Sequence, residues 1–199
     1  MGVNRVLLSL MLGAAAVPAA QAQRESTVKP WWVGVHLGYG RLHVTSDQGL
    51  GRRQGAFSMA FRGGRTLSPS LRVGLALGGW LIRPFGVNDP AQGESVSHLL
   101  AIVQVSPVPG TPAYVEAGGG LGMYTNQAPA AWSTRGWAWS LALGWPVTLT
   151  GRLSLVPSLA YASAGFADVR NVATTQTGLG HSVWDLSVGA SWSLGADRR

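Results

Sequence analysis

From Trp31 onward the chain alternates, residue by residue, between bulky apolar side chains and small or polar ones. That period of two constrains the fold more than any other feature. Trp31, Val33, Val35, Leu37 and Tyr39 interleave with Trp32, Gly34, His36, Gly38 and Gly40. An extended strand turns the two sets to opposite faces, one large and apolar, the other small or polar.

The same alternation recurs seven more times. Phe57, Met59 and Phe61 stand against Ser58, Ala60 and Arg62, and Leu71, Val73, Leu75 and Leu77 against Arg72, Gly74, Ala76 and Gly78. Leu99, Ala101, Val103 and Val105 alternate with His98, Leu100, Ile102 and Gln104, the least decisive segment. Val115 to Met123, Trp137 to Trp145, Leu153 to Tyr161 and Trp184 to Leu194 complete the set. Eight strands are predicted, each about as long as a tilted crossing of a bilayer requires. Pro157 lies inside the seventh and cannot donate to a ladder, so a bulge or local break is expected there.

Composition decides which face meets what. Only 12% of residues are charged, against about 25% in ordinary soluble domains. Yet no run of about twenty apolar residues follows the N-terminal region, so no spanning helix is expected. Glycine (28 residues) and tryptophan (9) are abundant. Few charges, many glycines and hydropathy that averages out along each strand point to an all-β, eight-stranded antiparallel up-and-down transmembrane β-barrel, its bulky rows toward lipid and its small polar rows inside. A soluble exported barrel is the rival at the level of fold.

The connections alternate in length. Longer ones fall near 44–54, 82–94, 125–135 and 164–181, and shorter ones at Arg65 to Ser70, Ser106 to Pro112 and Val147 to Arg152, with Pro109-Gly110 and Thr150-Gly151 as turn formers. Short periplasmic turns and long outer loops suit this barrel class, and an even strand count leaves both termini on the short-turn side. The aromatic residues divide into two belts at the head-group levels: Trp31, Tyr114, Trp145 and Trp192 at the periplasmic ends, and Tyr39, Trp80, Trp137 and Trp184 at the outer ends. Trp80 has inward parity, which points it at the lumen.

The N-terminus reads as a secretory signal over residues 1–22. Arg5 gives a basic start, Val6 to Ala20 form a short apolar core, and Ala20-Gln21-Ala22 is a small-residue cleavage site. Cleavage after Ala22 would leave a single barrel domain over 23–199. With no cysteine, disulfides, thiolate metal sites and lipid-modified cysteine are excluded. The formal net charge is +7, but the basic residues are scattered and the signal sends the chain out of the cytosol. Outer-membrane lipid and lipopolysaccharide are therefore expected partners, and nucleic acid is not.

The last strand reads Ser187-Val188-Gly189-Ala190-Ser191-Trp192-Ser193-Leu194. Ser187, Gly189, Trp192 and Leu194 resemble the terminal signal read by the outer-membrane assembly machinery. Segments such as Trp32-Val33-Gly34-Val35 and Ala113-Tyr114-Val115-Glu116-Ala117-Gly118 resemble the small outer-membrane barrel superfamily of OmpA, OmpX and opacity-type surface proteins. The resemblance implies a fold and a location, the bacterial outer membrane, more than an activity.

That architecture also hosts a lipid A deacylase family with a His-Ser-Glu site. Its seventh-strand motif, roughly His-Tyr-Ser-Asn-Ala-Gly, is similar to Ala160-Tyr161-Ala162-Ser163-Ala164-Gly165, but Ala160 and Ala162 stand where the histidine and serine belong. Without the imidazole no base activates a hydroxyl. His181, Ser182 and Asp185 read as loop and strand-start residues, and on a strand His181 and Ser182 would face apart. Gly118, Gly120 and Gly122 precede no helix and form no phosphate loop. The four histidines lack metal-ligand spacing. No catalytic, metal or cofactor site is expected. An envelope lipid-modifying enzyme with a different site, or a small pore, remain the alternatives to a structural or surface-contact role.

Two residue sets merit placing in the structure. Arg62, Arg72 and Glu116 share inward parity and depth, so Glu116 is expected to pair with one or both arginines across the lumen, with His98 and Asp185 pairing nearer the outer end. Arg52, Arg53, Arg83, Arg135 and Arg170, near the longer loops, could meet lipopolysaccharide phosphates, since guanidinium suits that geometry.

Overall fold

The computed structural model describes residues 30–47, 52–83, 93–108, 110–126, 131–170 and 175–195. The export signal expected at 1–22 lies outside them. Among the described residues there is no helix, and eight long strands make up the molecule: β1 (Trp31–Thr45), β2 (Arg52–Ser68), β3 (Leu71–Arg83), β4 (Glu94–Val105), β5 (Tyr114–Asn126), β6 (Trp132–Gly144), β7 (Leu153–Phe166) and β8 (Gly180–Leu194). Each pairs antiparallel with the next, and β8 returns to β1 with Trp31 opposite Leu194 and Thr45 opposite Gly180. The sheet is closed, so its long strands leave no edge to aggregate. Two short pieces, Val169–Arg170 and Thr175–Gln176, form a small ladder between β7 and β8.

The alternation read from sequence is the inside-outside alternation of the wall. Along β1 the even residues from Trp32 to Val44 are buried or half-buried, while Trp31, Val33, Leu37 and Tyr39 are exposed. The same holds around the ring: Leu75 is 60% exposed and Leu186 is 66% exposed. A closed barrel has no second layer to cover these side chains, and each would gain about 1.5–3 kcal/mol on leaving water. Lipid is the solvent that suits such a wall, and the barrel spans a membrane. In β4, the least decisive segment in sequence, Leu100 and Ile102 turn inward and are buried.

Several strands outrun their hydropathy pattern. β1 continues through Arg41, His43 and Thr45, β2 starts at Arg52, and β8 starts at Gly180. Beyond the apolar band neither face has to be hydrophobic, so the alternation fades while the backbone ladder continues. His181 and Ser182, read as loop or strand-start residues, are therefore in the ladder, with His181 buried. The apolar wall and the ladder thus end at different heights.

Pro157 breaks the ladder without shifting it. Pairing between β6 and β7 runs to Gly144 opposite Ser158, and resumes in the short piece Val147–Thr148, where Val147 faces Leu155. Trp145 N–H donates to Pro157 O at 3.0 Å, the one bond that a proline opposite it can complete. The gap is local, and a bulge is absent.

Candidate functional site

Among the described residues polar groups converge in the lumen, and it is stratified. At the periplasmic end Trp32 and Arg72 meet, with the guanidinium carbon 6.0 Å from the ring centre. This is a cation–π approach at the limit of the useful range. Tyr114, expected in the aromatic belt, is instead buried. Its even parity turns it inward, which corrects that assignment.

Above this layer Glu116 is almost wholly buried and is the hub of a polar cluster. Its Oε1 lies 3.7 Å from Arg62 Nη2, and its Oε2 accepts a 2.8 Å hydrogen bond from Gln104 Nε2. Arg62 comes from β2, Gln104 from β4 and Glu116 from β5, so the cluster spans the bore and ties non-adjacent strands together. A lone buried carboxylate would be strongly disfavoured, whereas one with a cation and an amide donor is compensated. Arg72, at a similar depth, goes to Trp32.

The middle of the lumen holds His36, Ser158 and Ser187. Ser158 Oγ is 2.8 Å from Ser187 Oγ and 3.5 Å from His36 Nδ1. The close partner of Ser158 is thus another hydroxyl, and its contact with His36 lies at the long limit of a hydrogen bond. Gly189 makes room for this histidine. A Cβ there would come within 2.5 Å of the His36 ring.

The outer half changes character. Trp80 turns inward and its Nε1–H donates to Asp185 Oδ2 at 3.1 Å. The expected pairing of His98 with Asp185 is not formed. Both ring nitrogens of His98, and both of His181, are buried without a protein hydrogen-bond partner among the described residues. The reason is reach: the indole of Trp80 crosses the bore to the carboxylate, and His98 packs edge-on against that indole with centroids 5.1 Å apart. His181 lies 4.9 Å from His98 by ring centroid and stacks on Phe166. Leu42, Val96 and Val183 fill the space around them. At the rim the Tyr124 hydroxyl donates to Glu94.

Inside this packing lies an interior void of about 60 Å³, lined by His36, Arg62, His98, Glu116 and Asp185 among others. That is room for a few waters. No group of three or more histidine, aspartate or glutamate side chains is placed to hold a metal ion among the described residues.

The remaining residues singled out from sequence lie on the wall. Ser187 and Gly189 face the lumen and Trp192 and Leu194 face outward, all on the strand that closes the ring against β1. Arg53 and Arg135 are exposed on the outward face at the loop ends of β2 and β6. The side chains of Arg52, Arg83 and Arg170 lie outside the described set. Arg41 was missed in sequence: it has outward parity and is exposed, and its place in the period of β1 was the available signal.

No protein-family model matches the chain, and no curated protein sequence does. Solved structures do. Neisserial surface protein A matches with a TM-score of 0.57 at 14% identity, over 82% of this chain and 97% of that one. The chain has the fold of the small eight-stranded outer-membrane β-barrels. The attachment invasion locus protein Ail of Yersinia pestis follows at a TM-score of 0.47, with 12% identity over 81% of this chain and 99% of that one. OprG of Pseudomonas aeruginosa matches at 0.43, with 12% identity over 84% and 98%. At these identities the likeness concerns the fold, which is the fold of bacterial outer-membrane proteins.

Proposed function

We propose that the chain is a non-enzymatic envelope protein, a plugged barrel that anchors its longer loops at the outer face of the outer membrane in a structural or surface-contact role. The observation that carries this reading is the filled lumen. A void of about 60 Å³ admits neither a lipid substrate nor a hydrated solute file, and ligand sites are usually several times larger, about 300 Å³ or more. The serine–histidine contact is sealed inside it. Lipids of the outer leaflet, lipopolysaccharide among them, are the partners that the exposed Arg53 and Arg135 suit, and Ser187, Gly189, Trp192 and Leu194 would present the last strand to the assembly machinery.

Two measurements on the purified protein, made once heat-modifiable migration shows that the barrel has closed, test the reading. In planar bilayers it should give no stable conductance, and lipid A incubated with it should keep its mass pattern. Steady single-channel steps would replace the plug with a pore. Loss of an acyl chain or gain of a group on lipid A, abolished by Ser158→Ala, would replace it with an enzyme.

A further inference from the structure

The barrel wall separates charge by sign. The acidic residues on the eight strands, Glu94, Glu116 and Asp185, are all buried in the lumen. The outward positions of those strands carry no carboxylate, whereas Arg41, Arg53, Arg65 and Arg135 all face outward and are exposed. A wall of one sign next to lipid needs its counter-ions from outside the protein.

The positive charge is most concentrated on one ladder. In the β1–β2 register Arg41 lies opposite Gly55 and His43 lies opposite Arg53, so three basic side chains share two successive outward rungs. Arg41 and Arg53 are diagonal neighbours on these rungs, about 7–8 Å apart at Cβ, and like charges so placed repel. Among the described residues no acid relieves them. Asp185 follows Trp184 but turns inward onto Trp80. Asp47 lies beyond the end of β1, its carboxylate set against Gly178.

Aromatic rings border the patch. Arg41 lies opposite Trp184 of β8, which is 58% exposed. Tyr39 leans across Gly55, where a Cβ would overlap its hydroxyl. From Trp31 to Arg41 is about 33 Å along the strand, or about 25 Å of membrane depth at a tilt near 40°, the height of the apolar band. Arg41 therefore sits where hydrocarbon gives way to head groups.

We infer that Arg41, His43 and Arg53 form a docking site for a phosphorylated outer-leaflet lipid, the phosphate monoester of lipid A seated between the two guanidinium groups with the His43 ring as a further donor. Guanidinium forks match phosphate oxygens two at a time. A zwitterionic head group fits less well, because it brings its own ammonium to a patch that already has three basic side chains. Tyr39 and Trp184 flank the glucosamine-level part of the lipid, where half-wet rings are favoured. The site deepens the surface-contact reading above and rests on it.

The test uses the refolded full barrel in mixed micelles with bisphosphoryl lipid A or the same lipid with its phosphates removed, and native mass spectrometry counts the lipid retained. The wild-type barrel should retain the phosphorylated form about tenfold better, the equivalent of one charge-assisted contact. Arg41→Gln with Arg53→Gln should erase that preference, and Arg65→Gln, exposed at the periplasmic end of the same β2 strand, should leave it. Heat-modifiable migration of each variant shows that the barrel has closed. If the double variant keeps the preference, the site is wrong although lipid contact stands. If the wild type shows none, the lipid-contact reading falls with it.

Discussion

The two halves of the lumen solve the same problem with different chemistry. The periplasmic half binds strands together through charge: Glu116 holds Arg62 and Gln104, and Arg72 lies over Trp32. The outer half does it by shape, with Leu42, Val96, Val183 and Phe166 packed around rings whose nitrogens find no partner among the described residues. Trp80 and Asp185 mark the border, and above them packing dominates up to the Tyr124–Glu94 hydrogen bond at the rim. The difference teaches that a barrel bore need not be polar because its wall is apolar. Eight strands enclose just enough space for side chains to fill, and either chemistry can fill it. The cost of an error differs, however. A missing partner is severe where charge is buried and mild where contacts are non-directional.

The sharpest way to break the comparison is at Glu116. Glu116→Ala leaves the Arg62 guanidinium buried without its carboxylate, and a broken buried pair is worth about 3–5 kcal/mol. Urea unfolding of the barrel in vesicles should show a loss of that size. Replacing both partners, Arg62→Met with Glu116→Leu, should recover most of it, because matched apolar groups fill the same space without a desolvated charge. Equal losses in the single and double variants would mean that Arg62 already reaches enough water, and the lower lumen would then be a wet cavity rather than a sealed ion pair.

The border comes next. Asp185→Leu leaves the Trp80 indole N–H without its acceptor and should cost about 1.5–3 kcal/mol in the same assay. Asp185→Asn keeps an acceptor oxygen and should cost roughly half as much or less. Indole emission reports the same event, since Trp80 loses an ionic neighbour. If the two variants are alike, the bond contributes nothing beyond the volume of the side chain, and the border moves down to His36.

How far this arrangement could be read from sequence follows from what a period of two encodes. Parity states which face a side chain takes, and it placed Trp80 in the lumen and Leu37 on the wall. Parity alone would also have turned Tyr114 inward; its belt assignment followed aromatic character instead. Parity also stops short of circumference. Inward groups at one depth can meet any of several partners across the bore. Arg62 on β2 reaches Glu116 on β5, whereas Arg72 on β3 reaches Trp32 on β1. The His98–Asp185 expectation failed for this reason, since Trp80 on the neighbouring strand has the longer reach. Strand ends were hidden because the alternation is imposed by lipid and ceases where lipid does. The charged rungs of β1 and β2 lie in that region, and so Arg41 went unnoticed while Arg53, nearer the loop, was named.

The smallest expected effect has the opposite sign and tests the outer half alone. His98→Leu removes two buried nitrogens that have no protein partner among the described residues, and it keeps an apolar side chain against Val96 and its neighbours. Leaving such a group unsatisfied costs about 1–3 kcal/mol, whereas the edge-on contact with Trp80 that the variant loses is worth about 0.5–1.5 kcal/mol. The first is the larger, so the variant should unfold at a higher urea concentration, by on the order of 1 kcal/mol. His181→Leu should behave alike but gain less, because it also gives up its stacking on Phe166. A loss of more than about 1 kcal/mol in either variant would mean that the imidazoles are bound by something polar inside the bore. The two halves would then be built on one chemistry after all.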